Sequence, residues 1–305
     1  MNVKMREDSR TTQFNRILMA TDFSGASRNA LRYAAAIAGF HGGKLYIVHV
    51  VSSIGYTMVP GAEVQATALA ARDLKELMNN FDDAGESLAA EVALIVRQGD
   101  VAAALDEVIR EEKIDLIVLG THGRTGFSKL TLGSVAETVF RRVNCPVLTV
   151  GPNSPADWPE RELGAPKIIL LATNFGNASL AALPYAASIA NRSRSKLVVL
   201  HVNGPGTDSP STSLFGDEAI VGELRYTAAQ QLQELLPKDL GIELELRANV
   251  GLPVDSILSE AAGTSAGVIV LGLHRRSILV PAGHLSSTAY GVVLQARCPV
   301  LTVRT

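Results

Sequence analysis

Short apolar runs alternate with longer segments of helical period along the whole chain. RILMAT (16–21) reads as a buried strand, and Ser24 to Phe40 follow as a helix. KLYIVHVV (44–51) is a second strand, and Ala62 to Phe81 carry an apolar stripe at helical spacing. EVALIVRQG (91–99) is a third strand, followed by a helix from Val101 to Glu112. IDLIVLG (114–120), a helix over SVAETVFRRV (134–143) and a fifth strand, PVLTV (146–150), complete the series. Strands alternating with helices of this size predict βαβ units around a parallel sheet. Right-handed crossovers and short connections favour a doubly wound layout. SSIGYTMVPGAE (52–63) is expected to be a longer, mobile loop.

The pattern then starts again. ILMATDFSGASRNALRYAAAIA (17–38) returns as ILLATNFGNASLAALPYAASIA (169–190), with Asp22 matched by Asn174 and Gly120 by Gly272 at one constant offset. NCPVLTV from Asn144 returns as RCPVLTV from Arg297, one residue further on, so the second copy gained a residue between Gly272 and Cys298. The period is far longer than that of solenoid repeats, which makes this two copies of one domain. GPNSPADWPERELGAP (151–166) is rich in Pro and polar residues and reads as the linker. The expected division is a tail over 1–13, a first domain over 14–152, a linker over 153–165 and a second domain over 166–305.

Composition narrows the class. Apolar residues make up 47% and aromatics 5%, so the core should be aliphatic, as buried parallel strands require. A net charge of −2 gives no electrostatic footprint for nucleic acid or an anionic membrane. Cys145 and Cys298 lie far apart without metal-ligand spacing and fit a reduced, cytoplasmic setting as small buried residues. The first fourteen residues lack the apolar core of a secretory signal, and no apolar run reaches transmembrane length.

The stretch GTHGRTGFSKLTLGS (120–134) carries the candidate chemistry. In an open parallel sheet, ligands bind beyond the carboxyl ends of the strands, where the winding direction switches. Asp22 sits just past the first strand and Gly120 just past the fourth, which such sheets place side by side at the switch. Glycine lets a phosphate approach backbone amides that a side chain would shield. Ser134-x-x-Glu137 is a capping-box pattern, and a helix start of this kind seats phosphate on unpaired N–H groups. Each residue alone also has an ordinary role: Gly120 a strand-end turn, Gly133-Ser134 a loop and cap, Asp22 a helix cap. Their convergence at one end of one sheet favours phosphate binding, with Asp22 accepting from ribose hydroxyls.

GTHGRTGFSKLTLGSVAETVFRRVNCPVLTV resembles the signature of the universal stress protein family, whose ATP-binding members carry G-x2-G-x9-G-[ST]. Gly120, Gly123, Gly133 and Ser134 complete that motif, and ILMATDFSGAS matches the family's first strand and acidic residue. The resemblance covers both halves. It implies two tandem doubly wound five-stranded α/β domains, Rossmann-like and similar to adenine nucleotide alpha hydrolases, forming a pseudo-dimer. It implies that Asp22 and Gly120 hold ribose, beside Ala20 and Thr21, and that the main chain near Val50 reads the adenine edge. Gly123, Arg124, Gly133, Ser134 and the amide of Val135 would line the phosphates of ATP, with any Mg²⁺ held mainly by phosphate oxygens. Family members pair through their last strands, so Val147 to Val150 and Val300 to Val303 could pair within this chain and cover their edges.

The second half departs from the pattern. Asn174 replaces the aspartate, Arg275 stands in the place of Gly123, and Ser286-Ser287 replace Gly133-Ser134. The Arg275 side chain could fill the phosphate seat or bind an anion in another way; the former is favoured, because close approach to amides is what glycine provided.

Other candidates carry less. His49 and His201, and His122 and His274, occupy equivalent positions that reflect duplication, and no HExxH spacing occurs. Arg141-Arg142 and Arg275-Arg276 are short charge pairs, and Asp82-Asp83 reads as a turn. Walker, GxGxxG, SGGxDS and GxSxG motifs are absent. Three functions remain: an ATP-binding regulatory or stress-response protein with one intact and one eroded site, a slow ATP hydrolase or phosphotransfer enzyme, and a nucleotide-free interaction scaffold. The first is favoured. Thr125, Ser128 and His122 lie near the loop without forming an evident base or nucleophile, and negligible ATPase activity is expected. An adenine nucleotide is the expected ligand, a further homodimer is possible, and no nucleic acid or membrane partner is expected.

Overall fold

The computed structural model describes residues 13–52, 61–83, 90–121, 133–143, 145–155, 166–204, 218–235, 241–273 and 288–304. The chain divides into a unit over Gln13–Gly164 and a second that contains Ala165–Thr305. Most of the loop expected to be mobile, 53–60, lies outside the described residues.

The first unit contains β1 (Arg16–Ala20), α1 (Gly25–His41), β2 (Lys44–Val51), α2 (Ala62–Asp83), β3 (Glu91–Gln98), α3 (Val101–Glu111), β4 (Leu116–Gly120), α4 (Ser134–Arg142) and β5 (Val147–Val150). Its strands are parallel in the order β3-β2-β1-β4-β5. Ile17, Leu18 and Met19 are fully buried, paired on one side with Leu45, Tyr46 and Ile47 and on the other with Leu116, Ile117 and Val118. A strand buried on both faces needs this continuous apolar run. The chain winds outward from β1 through β2 to β3, then crosses back to β4, so the switch lies between β1 and β4 as expected.

Local signals fix the helices. Ser24 caps α1 by accepting from Ser27 N at 3.2 Å, and Gly42 ends it in the left-handed region at φ 64°. Asp100 caps α3 by accepting from Ala103 N at 3.0 Å. Asp82 and Asp83, expected in a turn, are the last two residues of α2. No described helix is long and apolar enough to cross a membrane.

The second unit repeats the plan with β6 (Ile168–Thr173), α5 (Asn177–Ser193), β7 (Lys196–Asn203), α6 (Glu218–Leu235), β8 (Leu244–Val250), α7 (Pro253–Thr264), β9 (Val268–Leu273), α8 (Thr288–Gln295) and β10 (Val300–Arg304). Its parallel order is β8-β7-β6-β9-β10. Cys298 is buried and Cys145 only half-buried; both are free, and burial pushes each thiol up to about 12.

Outer strand β8 is tied in by charge. Glu245 accepts from Arg247 Nε at 2.6 Å and from Lys196 Nζ at 2.9 Å, and Arg247 also pairs with Glu260. The Arg247 hydrogen bond, with Lys196 second, holds the Glu245 carboxyl down to about 2 from its ordinary 4.5. A depressed folded-state value stabilises above the unfolded value and is lost as pH falls through the folded one. Glu245→Gln should therefore cost about 0.5–1 kcal/mol near neutrality, as expected for a partly exposed pair. Its melting temperature should converge on the parent's as pH falls from about 4.5 towards about 2, and a gap constant across that range would refute the assignment.

Candidate functional site

The carboxyl end of β1 turns sharply, and several contacts fix the turn. Thr21 N donates to the Val48 carbonyl at 2.9 Å, keeping the chain beside β2 as it leaves the sheet. Thr21 Oγ1 accepts from Phe23 N at 3.0 Å and bonds Ser27 Oγ at 3.1 Å. Phe23 takes φ 64°, a costly conformation for a bulky side chain that the surrounding bonds maintain. Its ring lies 4.6 Å from that of His49, whose Nδ1 is 2.7 Å from the Thr21 carbonyl. A carbonyl only accepts, so Nδ1 carries the proton. Asp22, half-buried between these residues, accepts from Ser24 N at 3.0 Å through one carboxylate oxygen.

The β4 end is built by close packing. A Cβ on Gly120 would stand 2.9 Å from the carbonyl carbon and oxygen of Ala26, in the first turn of α1. Gly120 therefore has a packing role whatever binds above it. Thr121 N donates to the Val150 carbonyl at 3.0 Å, and Gly133 N donates to the Thr121 carbonyl at 2.8 Å, which returns the start of α4 to the strand end.

Here the structure corrects the capping box. Gly133, at φ −58° and ψ 147°, is the N-cap, and Ser134 is the first helical residue. With the cap at 133, the third helical residue is Ala136, and Glu137 falls one position too late for a reciprocal bond. No side chain at the cap satisfies the amides of the first turn.

These elements enclose a cavity of about 550 Å³ in the first unit, within the range of small-molecule sites. Ala20, Thr21, Asp22, Val50, Gly120, Gly133 and Val135, all chosen from sequence, line it together. Gly123 and Arg124 lie outside the described residues, as does the side chain of Ser134. The lining also includes residues that the sequence reading did not select: His49 and Ser24 near the turn, Val101 and Leu105 from α3, and Leu69 and Asp73 from α2. An apolar stripe at helical spacing marked α2 for packing, but nothing in the sequence placed its residues or those of α3 at this mouth.

β2 contributes main chain. The last pair between β1 and β2 is Ala20 with Val48, and β2 continues to Val51. The Val48 carbonyl points towards β1, since it accepts from Thr21 N. Peptide groups alternate sides along a strand, so the N–H and C=O of Val50 point the same way, past the end of β1 and into the cavity.

The second unit reproduces the turn nearly atom for atom. Thr173 Oγ1 accepts from Phe175 N at 3.0 Å and lies 2.9 Å from Ser179 Oγ. Phe175 has φ 59°, and its ring lies 4.4 Å from His201, whose Nδ1 is 2.9 Å from the Thr173 carbonyl. Asn174 Oδ1 accepts from Gly176 N at 3.0 Å, as Asp22 does from Ser24 N. The turn therefore needs an acceptor oxygen and no charge. Arg275, Ser286 and Ser287 lie outside the described residues.

The fold and cavity define a class: tandem doubly wound α/β domains, the first with a ligand-sized cavity at its switch point. The universal stress protein family model matches residues 13–151 and 166–304, and the chain belongs to that family. A universal stress protein of Methanocaldococcus jannaschii is 30% identical over 139 residues, covering 45% of this chain and 82% of that protein. One from Mycolicibacterium smegmatis is 25% identical over 296 residues, covering 94% of this chain and 96% of its own. The fold is shared by a universal stress protein from Archaeoglobus fulgidus at a TM-score of 0.70 and 22% identity, over 96% of this chain and 99% of the other.

Proposed function

We propose that the first unit binds ATP and that the chain serves as a nucleotide-responsive regulatory protein of the stress response, without substantial turnover. The observation that carries this reading is the lining of the switch-point cavity, where Asp22, Val50, Gly120, Gly133 and Val135 meet. The sheet order runs from α4 and β4 past β1 to β2, matching the order phosphates, ribose, base. At one end the uncapped first turn of α4 offers amides to phosphate oxygens, with Gly123 and Arg124 assigned to the same task. In the middle, the Asp22 carboxylate accepts from ribose hydroxyls while keeping its bond to Ser24 N. At the other end, Val50 N–H and C=O are aimed to pair with an adenine edge. A divalent ion accompanying ATP would be held mainly by phosphate oxygens. The free cysteines suit a cytoplasmic setting. The second unit, with Asn174, Arg275, Ser286 and Ser287 at the matching places, is assigned a degenerate site.

Asp22→Asn tests the ribose assignment without disturbing the fold, because Asn174 holds the same turn in the second unit. The variant should keep its melting temperature and lose about 1–3 kcal/mol of ATP affinity, the worth of hydrogen bonds to a charged acceptor. Calorimetry giving parental affinity would reduce Asp22 to a turn residue.

A further inference from the structure

We infer that Asp73 of α2 selects the base, by accepting a hydrogen bond from an exocyclic amino group; this rests on the ATP reading above. Asp22 and Asp73 both line the cavity, and among its described lining residues there is neither Lys nor Arg. The two carboxylates belong to different parts of it. Asp22 follows β1 at the centre of the sheet, whereas Asp73 comes from the helix between β2 and β3, beyond the strand that presents Val50. A negative charge there repels phosphate, so the phosphates must lie towards α4 and the base towards α2.

The walls at the α2 end suit a flat base. Ala66, Leu69 and Ala70 from α2, with Val101 and Leu105 from α3, are apolar. Against such walls a carboxylate is an orienting group: it accepts hydrogen bonds and donates none when ionised. The Asp73 side chain is 37% exposed, and Arg72 Nη2, 3.7 Å from its Oδ1, is itself 72% exposed and too distant for a hydrogen bond. An amino group on carbon 6 of a purine carries two hydrogens, enough for a main-chain acceptor at Val50 and for Asp73 together. A purine with oxygen at that carbon would face the carboxylate with a second acceptor. Adenine is therefore favoured over hypoxanthine by attraction and by repulsion at one residue.

The test is titration of the full chain with ATP, purine riboside triphosphate, which lacks the amino group, and inosine triphosphate. The parent should bind ATP more than tenfold more tightly than purine riboside triphosphate, with about tenfold of that from Asp73, the lower end for a charged hydrogen bond because Asp73 is partly exposed. Asp73→Ala should cut that preference about tenfold by weakening ATP alone, leaving the part carried by the Val50 carbonyl. Asp73→Asn, whose amide can donate to the oxygen of hypoxanthine, should raise inosine triphosphate binding relative to ATP. Alanine favours helix, so circular dichroism of Asp73→Ala should match the parent. If ATP binds and the ratios are the same in parent and variants, the assignment of Asp73 is overturned while the ATP site stands. If no triphosphate binds, the ATP reading fails and takes this inference with it.

Discussion

Gly272→Ala should lower the melting temperature of the second unit by about 5–10 °C, the consequence of overpacking by about 1–3 kcal/mol. A Cβ at this position would overlap the Ala178 carbonyl and press on Ser179 N, both backbone atoms in the first turns of α5. Backbone inside a helix cannot rotate aside as a side chain tip does, so α5 must move off β9. The equivalent Gly120→Ala in the first unit meets Ala26 at 2.9 Å and should cost less, because that overlap is smaller. Both effects should appear without any nucleotide. If Gly120→Ala left the stability of the empty protein unchanged and affected binding alone, the packing account of this glycine would be wrong. This role also accounts for which glycines survive duplication: the one against the helix backbone is present in both halves, whereas the positions of Gly123 and Gly133 are Arg275 and Ser286 in the second.

Gly123→Arg should have the largest effect on binding. It copies into the first half the residue that occupies the matching place in the second. Glycine at this position is assigned to let phosphate reach backbone amides, and an arginine side chain would occupy that approach. Loss of two charge-assisted hydrogen bonds, about 1.5–3 kcal/mol each, would weaken ATP by roughly a hundredfold or more. Stability should be little changed. An unimpaired or tighter variant would mean that the guanidinium binds phosphate there, and the second half would then have to be read as a working anion site.

The hydrophobic pattern made the elements and their winding legible because the inner strands are short apolar runs buried on both faces, while the outer strands β3 and β8 are only partly buried. The meeting of Asp22 and Gly120 at the switch point was legible too, since their positions follow from strand order. Finer features were not. The α4 cap moved from Ser134 to Gly133 because extended φ and ψ, not a side-chain oxygen, mark the residue where the helix begins. The packing role of Gly120 depends on how closely α1 crosses β4, a distance that no one-dimensional pattern carries. His49 resembled a by-product of duplication. In the structure it ties the end of β2 to the Thr21 carbonyl, and His201 does the same in the second unit. Asp73 lay hidden because it reaches the cavity from α2, which the sequence separates widely from the glycine motif.

The central claim is that the switch-point cavity of the first unit holds ATP and that its counterpart in the second does not. Equilibrium titration of the purified full chain with ATP, after mass spectrometry has identified and quantified any nucleotide released on denaturation, tests it most directly. The expected result is saturation at one ATP per chain, with affinity lowered roughly a hundredfold or more by Gly123→Arg. Two equivalent nucleotides per chain, or none at saturating ATP, would contradict it.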